Sequence, residues 1–201
     1  MARELLLLVH RVPIDGAFTL NDLAGSGGRV DEVARVVSTA LTVSNGLRRD
    51  TRVTLLFRAA DPAAERRIVI EGSRVRYLNP DERSTAALIK NALVRSVLAA
   101  GPVESSPGLT VHRRPALPEL TAFLDLPGTL WLDEVGAALP SEGLRPPVAA
   151  ILADPIGPSE EERALLESRT VPRYRVGPLS LRSSQVVDVL WNAVDRGEVA
   201  P

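Results

Sequence analysis

Polar side chains are most crowded in the segment Leu78–Leu93, LNPDERSTAALIKNAL, where a helix is predicted to begin. Asn79 is a favourable N-cap, Pro80 suits the first helical position, and Glu82 occupies the place of a capping-box acid. The same turn also contains Asp81, Arg83, Ser84 and Thr85. Free N–H groups beside a guanidinium group favour the binding of a phosphate or another anion. The alternative interpretation is an ordinary capped helix on the surface.

A glycine-rich loop, GSGGRVD at residues 25–31, opens onto a second predicted helix. Glycines followed by a helix N-terminus can hold a phosphate, although the G-K-[S/T] ending of a P-loop is absent. Arg29 and Asp31 are the charged side chains at this place. The simpler alternative is a flexible entry to the helix, with Asp31 offsetting the helix dipole.

Gly177 and Pro178 follow a predicted strand that ends at Val176, and they precede a helix. Glycine allows the backbone to approach a ligand closely, and α/β proteins bind ligands where parallel strands end. The residues alone do not distinguish such a site from a simple turn between strand and helix, and the simple turn is the commoner case.

Several other chemistries find no support in the residue types. The two histidines, His10 and His112, stand alone without cysteine or an HExxH spacing, so no metal site is predicted. No G-x-S-x-G elbow or GxGxxG fingerprint occurs. Aromatic residues make up 3% of the chain, which disfavours an extended base-stacking platform. Trp131 and Trp191 are predicted to be core or dimer contacts, and Phe18 is the best aromatic candidate for touching a flipped base.

These candidate residues must be positioned by alternating strands and helices, because apolar runs alternate with helical periods along the chain. The pattern predicts an α/β fold with a mainly parallel sheet, in a single domain of residues 1–201. The predicted strands are Glu4–Val9, Arg52–Phe57, Arg67–Glu71, Gly108–His112, Thr129–Leu132, Val148–Leu152 and Pro172–Val176. The predicted helices are Arg29–Ser44, Pro80–Ala99, Pro118–Leu124, Ser159–Ser168 and Ser183–Arg196. The segment Asp133–Pro147 is predicted to be a loop.

Composition is that of an ordinary soluble protein, with 45% hydrophobic and 24% charged residues. The first apolar run, Leu5–Val9, is too short for a membrane span, so no membrane association is predicted. The absence of cysteine leaves the compartment open, although the cytoplasm fits.

Charge is divided unevenly although the net charge is −1. Residues 1–114 contain 17 Arg and Lys against 12 Asp and Glu, whereas residues 115–201 contain 7 against 13. Such asymmetry indicates contact with a nucleic acid, with chance clustering of solvated charge as an equal alternative.

Five blocks of the chain resemble the archaeal tRNA pseudouridine-54 N1-methyltransferases, the TrmY family. They lie in the family's order and spacing: GSGGRVDEV at 25–33, SNGLRRD at 44–50, EGSRVRYLNPDERST at 71–85, ESSPG at 104–108 and VGPLSL at 176–181. Agreement in five blocks is much more specific than one short motif. The resemblance implies a SPOUT-type fold with a C-terminal trefoil knot, an S-adenosylmethionine pocket within about residues 148–201, and a homodimer.

Residue roles also follow from this resemblance. It implies that the glycine-rich block faces the target nucleoside, with Asp31, Arg29 and Arg83 as catalytic residues. The implied substrate-binding residues are Asn79, Asp81, Glu82, Ser84, Thr85 and Arg49. The implied cofactor-binding residues are Leu152, Asp154, Val176, Gly177, Leu181 and Val186, mostly through the main chain. The chain departs from its relatives at Ala153 and Pro155, within a stretch that is usually Leu-Ser-Asp, and at Val186, where Cys or Ser is usual.

The activity implied by the resemblance is S-adenosylmethionine-dependent N1-methylation of pseudouridine, at position 54 in the T loop of tRNA. Two alternatives remain at this point. The same pocket could act on free pseudouridine or on another RNA, or the chain could be a non-catalytic RNA-binding dimer. If tRNA binds, phosphates are expected to pass along Arg48, Arg49, Arg52, Arg74, Arg76 and Arg83.

Overall fold

One eight-stranded sheet organises the protein, whose computed structural model describes residues 2–199. The strands are β1 Arg3–Val9, β2 Thr42–Val43, β3 Gly46–Leu47, β4 Thr51–Phe57, β5 Arg66–Glu71, β6 Val103–Ser106, β7 Leu109–Arg113, β8 Thr129–Ala138, β9 Val148–Ala153 and β10 Arg173–Arg175. The helices are α1 Val30–Leu41, α2 Glu82–Ser96, α3 Ala116–Leu124, α4 Glu160–Ser168 and α5 Ser183–Val199, with a 3-10 turn at Pro62–Ala64. None of the helices in this range is long and apolar enough to cross a membrane.

Strand order in the sheet is β10-β8-β9-β1-β4-β5-β7-β6, and β2 pairs separately with β3. The pairings from β10 to β4 are all parallel, whereas those from β4 to β6 are antiparallel. The predicted α/β fold with a mainly parallel sheet is therefore confirmed. Since β10, β8, β9, β1 and β4 run the same way, their carboxyl ends all lie at one edge of the sheet.

Helices cover both faces of this sheet, which explains why β1 is apolar without alternation. Leu5, Leu7 and Val9 pack in one core with α1, α2 and α5. Leu6 and Leu8 point to the opposite face and pack in a second core with α3 and α4. All five side chains are at most 1% exposed, as predicted for a buried strand. Each contributes about 1.5–3 kcal/mol through burial.

Both tryptophans belong to these cores. Trp191 on α5 is 2% exposed, and its indole N–H donates to the backbone oxygen of Ala40 on α1 at 3.2 Å. Trp131 on β8 is 3% exposed and lies 4.1 Å from the guanidinium of Arg173. The prediction that they are core residues is confirmed.

Several predicted boundaries were wrong, each for a local reason. α1 ends at Leu41 and not at Ser44, because Thr42 and Val43 enter a short hairpin whose loop residues are Ser44 and Asn45. Serine and asparagine are both common in turns. α3 begins at Ala116, so that Pro118 lies inside the first turn, where its missing N–H is tolerated.

The segment Asp133–Pro147 is only partly a loop. β8 continues to Ala138, and its last residues pair with β10 beyond a bulge between Arg173 and Tyr174. The strand β6 at Val103–Ser106 was not predicted at all. It pairs only with β7, at the sheet edge, so no apolar alternation marks it.

Candidate functional site

The first turn of α2 is capped by Asp81. The prediction that Asn79 is the N-cap was therefore wrong. The Asp81 carboxylate accepts hydrogen bonds from the hydroxyl of Ser84 and from its backbone N–H, at 2.5 and 2.8 Å. These bonds hold the pKa of Asp81 below its usual range. Asn79 takes part only through its backbone oxygen, which accepts from the Thr85 hydroxyl at 3.0 Å. The predicted substrate residues Asp81, Ser84 and Thr85 thus already build the start of the helix.

Glu82 is not a capping-box acid either, since its carboxylate points to α1. It accepts a hydrogen bond from Arg35, whose guanidinium also lies 2.6 Å from the Asp31 carboxylate and 2.7 Å from Glu32. Arg35 therefore connects the starts of α1 and α2. It was not singled out from the sequence, although its spacing of four residues from Asp31 is a readable helical pair.

Asp31 and Arg29, two of the predicted catalytic residues, form a bidentate pair. The Nε and Nη2 atoms of Arg29 donate to the two carboxylate oxygens of Asp31 at 3.0 and 3.1 Å. Arg29 is the N-cap of α1 and has a left-handed backbone, with φ 70°. The Asp31 side chain is 11% exposed and Arg29 is 42% exposed. Arg29 is thus the more accessible member of this pair, and a ligand can reach only the small exposed part of the Asp31 carboxylate.

The charge on Asp31 is fixed by its two guanidinium partners. Burial alone would raise its pKa, but hydrogen bonds from Arg29 and Arg35 hold the pKa below the usual range of an aspartate. Such a carboxylate remains ionised and is a weak proton acceptor. Its arrangement suits the orientation of a bound N–H group better than general base catalysis.

Arg83, the third predicted catalytic residue, connects α2 to the loop that precedes the glycine-rich block. One of its guanidinium nitrogens donates to the backbone oxygen of Leu20 and to the side-chain oxygen of Asn21, both at 2.8 Å. Asp22 in turn accepts from the backbone N–H groups of Gly25 and Ser26 at 3.0 and 2.7 Å. Arg83 therefore positions the glycine-rich block while its side chain stays exposed.

Phe18 does not face solvent, so its prediction as a base contact was wrong. It is 5% exposed and belongs to the core, with the ammonium group of Lys90 lying 5.4 Å from its ring. Tyr77 is the aromatic residue that sequence reasoning missed. It is 71% exposed and has a left-handed backbone, with φ 63°. A bulky residue rarely adopts this conformation, which turns the ring of Tyr77 outward just before α2.

The glycine-rich block lies at the edge where the parallel strands end. Gly28, with φ 57°, packs so closely that an added Cβ would lie 2.0 Å from the backbone oxygen of Arg11, two residues after β1. At the same edge the backbone N–H of His10 donates to the Asp154 carboxylate at 2.7 Å. The hydroxyl of Ser183 donates to the backbone oxygen of Ala153 at 3.1 Å. The starts of α1 and α5 are thus brought to the carboxyl ends of β1 and β9.

Some of the predicted cofactor residues are buried and already in contact with other residues of the protein. Leu152 is 6% exposed and belongs to the core, and the partly buried Val186 packs against this core. The Asp154 side chain is 8% exposed and bound to His10. Val176 and Gly177 instead line an open cleft of about 320 Å³, together with residues 138–141, Arg175, Pro178, Val189, Ala193 and Arg196. Leu181 does not line this cleft.

Gly177 faces open space, since a Cβ added there would meet nothing within 4 Å. The cleft has the size of a small-ligand pocket, with apolar walls from Leu139, Val176 and Val189. These features fit a nucleoside-containing cofactor bound through main-chain groups.

The six arginines expected to contact RNA phosphates differ in their exposure and in how closely other residues of the protein bind them. Arg48 binds Asp195 of α5 through two hydrogen bonds of 2.9 and 2.8 Å. Arg52 pairs with Glu4 and Glu71 at 3.3 and 3.7 Å. Arg48 is therefore already paired with a carboxylate of the acidic C-terminal half.

The other four arginines are exposed: Arg49, Arg74, Arg76 and Arg83. The Arg49 guanidinium donates to the backbone oxygen of Gly72 at 3.0 Å, and the Arg74 side chain is 59% exposed although paired with Glu71 and Glu104. These four exposed arginines and the exposed Tyr77 are called the arginine face below.

Comparison with known families identifies this combination of fold and residues. A sequence model described as a putative SAM-dependent RNA methyltransferase matches residues 2–199. The chain belongs to this methyltransferase family. Among its relatives is the tRNA (pseudouridine(54)-N(1))-methyltransferase of Methanosarcina acetivorans, 39% identical over 198 residues, which cover 98% of this methyltransferase and 92% of the relative. The protein of the same name from Haloarcula marismortui is 37% identical, with 96% of each chain covered.

The fold is shared with a solved structure. The crystal structure of Archaeoglobus fulgidus Nep1 bound to S-adenosylhomocysteine matches with a TM-score of 0.64, over 100% of both chains and at 13% sequence identity. This likeness supports the predicted SPOUT-type arrangement of the methyltransferase.

Proposed function

We propose that this methyltransferase transfers a methyl group from S-adenosylmethionine to N1 of a pseudouridine in tRNA, at position 54 of the T loop. The observation that carries the proposal is the near full-length similarity, at 34–39% identity, to relatives named for this activity. Free pseudouridine, another RNA and a non-catalytic dimer are not favoured by these names. An unpaired loop base also needs less unstacking than a base within a duplex.

Asp31, Arg29 and Arg83 are assigned to the target base and its phosphate. N1 of pseudouridine carries a proton, which must leave as the methyl group arrives. The anionic Asp31 orients this N–H by accepting its hydrogen bond, and the proton passes to water. Arg29 faces the negative charge that develops on the base. When bound, the cofactor supplies a methyl group already activated by its sulfonium, so alignment is the main task of the protein.

The remaining substrate residues have a supporting role in this proposal. Asp81, Ser84, Thr85 and the backbone of Asn79 fix the first turn of α2, and Glu82 fixes its distance from α1 through Arg35. Arg83 is held at the correct place by this frame. Arg49 belongs to the arginine face, where it meets phosphates on either side of the target nucleotide.

The cofactor site is proposed to extend from the cleft that Val176 and Gly177 line to Leu152, Asp154, Leu181 and Val186, which lie outside that cleft. The trefoil knot is proposed for the same region. Its support is the close packing of the segment 139–147 on α5. The backbone N–H of Leu144 donates to the oxygen of Ala193 at 2.9 Å, and Arg196 donates to the oxygen of Ser141 at 2.8 Å.

A homodimer in the cytoplasm, where tRNA is available, completes the proposal. The apolar residues of α5 pack mostly within the subunit, because Val187, Leu190 and Trp191 are at most 2% exposed. Val189 and Leu179 remain exposed, at 36% and 76%, beside the cleft at Gly177. We expect light scattering at micromolar concentration to give twice the mass of 21.6 kDa. A monomer would contradict this part of the proposal.

The activity is tested with tRNA transcripts that carry pseudouridine or uridine at position 54. After incubation with S-adenosylmethionine, mass spectrometry of the digested nucleosides should show N1-methylpseudouridine only from the first transcript. Free pseudouridine and an unrelated pseudouridine-containing RNA serve as competing substrates. Equal methylation of either would contradict the tRNA assignment. Cofactor binding without any methylation would indicate the non-catalytic dimer.

A further inference from the structure

His10 lies between two carboxylates at the edge where β1 and β9 end. Its Nδ1 atom is 3.1 Å from the Asp154 carboxylate, and its Nε2 atom is 2.8 Å from the Glu162 carboxylate of α4. The side chains of His10, Asp154 and Glu162 are 13%, 8% and 1% exposed. A neutral imidazole has one N–H, whereas an imidazolium donates from both nitrogens. Two ionised partners therefore favour the imidazolium.

The surroundings of His10 strengthen this preference. Arg58, which follows β4, lies with its Nε atom 3.2 Å from Glu65 and 3.4 Å from Glu162. A second nitrogen of Arg58 reaches the exposed Glu161 at 3.3 Å. Glu65, Glu162 and Asp154 are three carboxylates with little access to water, and Arg58 alone does not neutralise them. A positive His10 reduces this excess of buried negative charge.

The two carboxylates that His10 holds also bind backbone N–H groups near the two ends of the loop at residues 154–159. Asp154 accepts from the backbone N–H of Ile156 at 3.0 Å, and its own N–H donates to the oxygen of Leu8 on β1 at 2.9 Å. Glu162 accepts from the backbone N–H of Ser159 at 2.7 Å. One imidazolium thus fixes both ends of the loop that follows β9.

We propose that His10 is a positioning residue, whose imidazolium holds the loop 154–159 in the conformation that receives the cofactor. His10 is also one residue before Arg11, against which Gly28 of the glycine-rich block packs. The inference rests on the proposed cofactor site and adds to it a residue that touches neither cofactor nor base. Burial by itself lowers the pKa of His10, but the hydrogen bonds that its ring donates to Asp154 and Glu162 raise it to about 9, so that the ring is charged at neutral pH.

The variant His10→Gln tests the role, because glutamine retains hydrogen-bonding groups but carries no charge at any pH. His112→Gln is the matched control, since His112 lies on β7 and its ring accepts a hydrogen bond from Arg114 at 3.2 Å. Binding of S-adenosylhomocysteine is measured by calorimetry at pH 7 and the methylation rate with saturating tRNA. We expect the KM for S-adenosylmethionine and the Kd of the product to rise about tenfold or more in His10→Gln, with kcat within about twofold. His112→Gln should match the wild type.

Two measurements on the wild type remain informative if His10→Gln folds poorly. Nuclear magnetic resonance of the imidazole nitrogens should show both protonated at pH 7.5. The affinity for S-adenosylhomocysteine should also fall between pH 8 and pH 10, and His10→Gln should lack this fall apart from the titration of the ligand's own amino group. An imidazole that is neutral at pH 7.5 overturns the inference.

The possible failures are distinguishable. If the wild type binds no S-adenosylhomocysteine, the proposed function itself is wrong, and the inference fails with it. If the wild type binds and His10→Gln binds equally well, only the role of His10 is wrong. A loss of kcat at unchanged KM would show that His10 acts on the methyl transfer and not on the loop, which also overturns the inference.

Discussion

Arg35 and Asp31 lie one helical turn apart on α1, and the Arg35 guanidinium approaches the Asp31 carboxylate to 2.6 Å while also binding Glu82 on α2. Through Arg35, the position of the Asp31 carboxylate depends on both α1 and α2. Any movement between α1 and α2 changes the orientation of Asp31. The electrostatics of the candidate site and the packing of the two helices are therefore coupled.

Arg35→Gln should lower the methylation rate by about tenfold or more, because Asp31 loses one of its two fixed partners and α2 its contact with α1. Arg35→Lys should recover only part of the rate, since an ammonium cannot reach three carboxylates in one plane. Arg95→Gln, an exposed residue in the last turn of α2, is the control and should leave the rate unchanged. A full rate in Arg35→Gln would exclude a role for this pairing.

Arg83→Ala and Arg49→Ala should affect different measurements, the first the saturated methylation rate and the second the affinity for tRNA. Arg83 holds the loop at Leu20 and Asn21, so its removal should lower the rate even with saturating tRNA. Arg49 donates to the backbone oxygen of Gly72, away from the loop at Leu20, and its removal should weaken tRNA binding with the saturated rate nearly unchanged. Each should reduce the salt dependence of binding by about one unit of slope or slightly less. Equal loss of binding with no change in either rate would reduce Arg83 to a phosphate contact.

Gly177→Val should abolish cofactor binding without unfolding the protein. A Cβ added at this position meets nothing within 4 Å in the free protein, so the new side chain extends into the space proposed for the ligand. Gly101→Val is the matched control, because its added Cβ also meets nothing. Calorimetry with S-adenosylhomocysteine and thermal unfolding of both variants check this. Unchanged binding in Gly177→Val would exclude the cleft as the cofactor site.

Tyr77→Ala should weaken tRNA binding by about 1–3 kcal/mol, if the exposed ring stacks on a base. Tyr77→Phe keeps the ring and should bind nearly as well as the wild type. Fluorescence titration of a labelled tRNA at one fixed salt concentration compares the three proteins. Equal affinities would show that the Tyr77 ring does not stack on the tRNA.

The stability of the protein should depend on pH through His10. Its pKa is raised from 6.5 to about 9 in the fold, so the stabilisation is complete below pH 6.5 and is lost as the pH rises through about 9. The shift corresponds to about 3 kcal/mol. We expect the free energy of unfolding in urea to fall over this range in the wild type relative to His10→Gln. Parallel curves would mean that His10 is not charged.

Local signals predicted the elements well. The predicted strand at β1 and the predicted helix from Ser159 are both confirmed, because each depends on residues within a few positions of one another, such as the capping box of Ser159 and Glu162. The start of α2 was displaced by two residues, since Asn79 and Asp81 are both good caps and only the fold chooses between them.

Contacts between side chains that are distant in the sequence could not be predicted from local patterns. The partners of His10 are 144 and 152 residues away, and Arg83 reaches back 62 residues to Asn21. Phe18 was misjudged for a related reason, because neither periodicity nor a motif shows which side of an irregular loop is buried. The location of the site came from the resemblance of its blocks, whereas the connections within it required the fold.

The position of β1 at the centre of the sheet has a consequence for synthesis on the ribosome. β1 can pair with β4 as soon as about 60 residues have emerged, but its other neighbour, β9, ends at Ala153. At about 5–20 residues per second, one edge of this apolar strand waits on the order of ten seconds for its partner. A nascent chain is exposed to aggregation throughout that interval. The same delay means that His10 meets Asp154 only late, so a partly made chain cannot hold the cofactor.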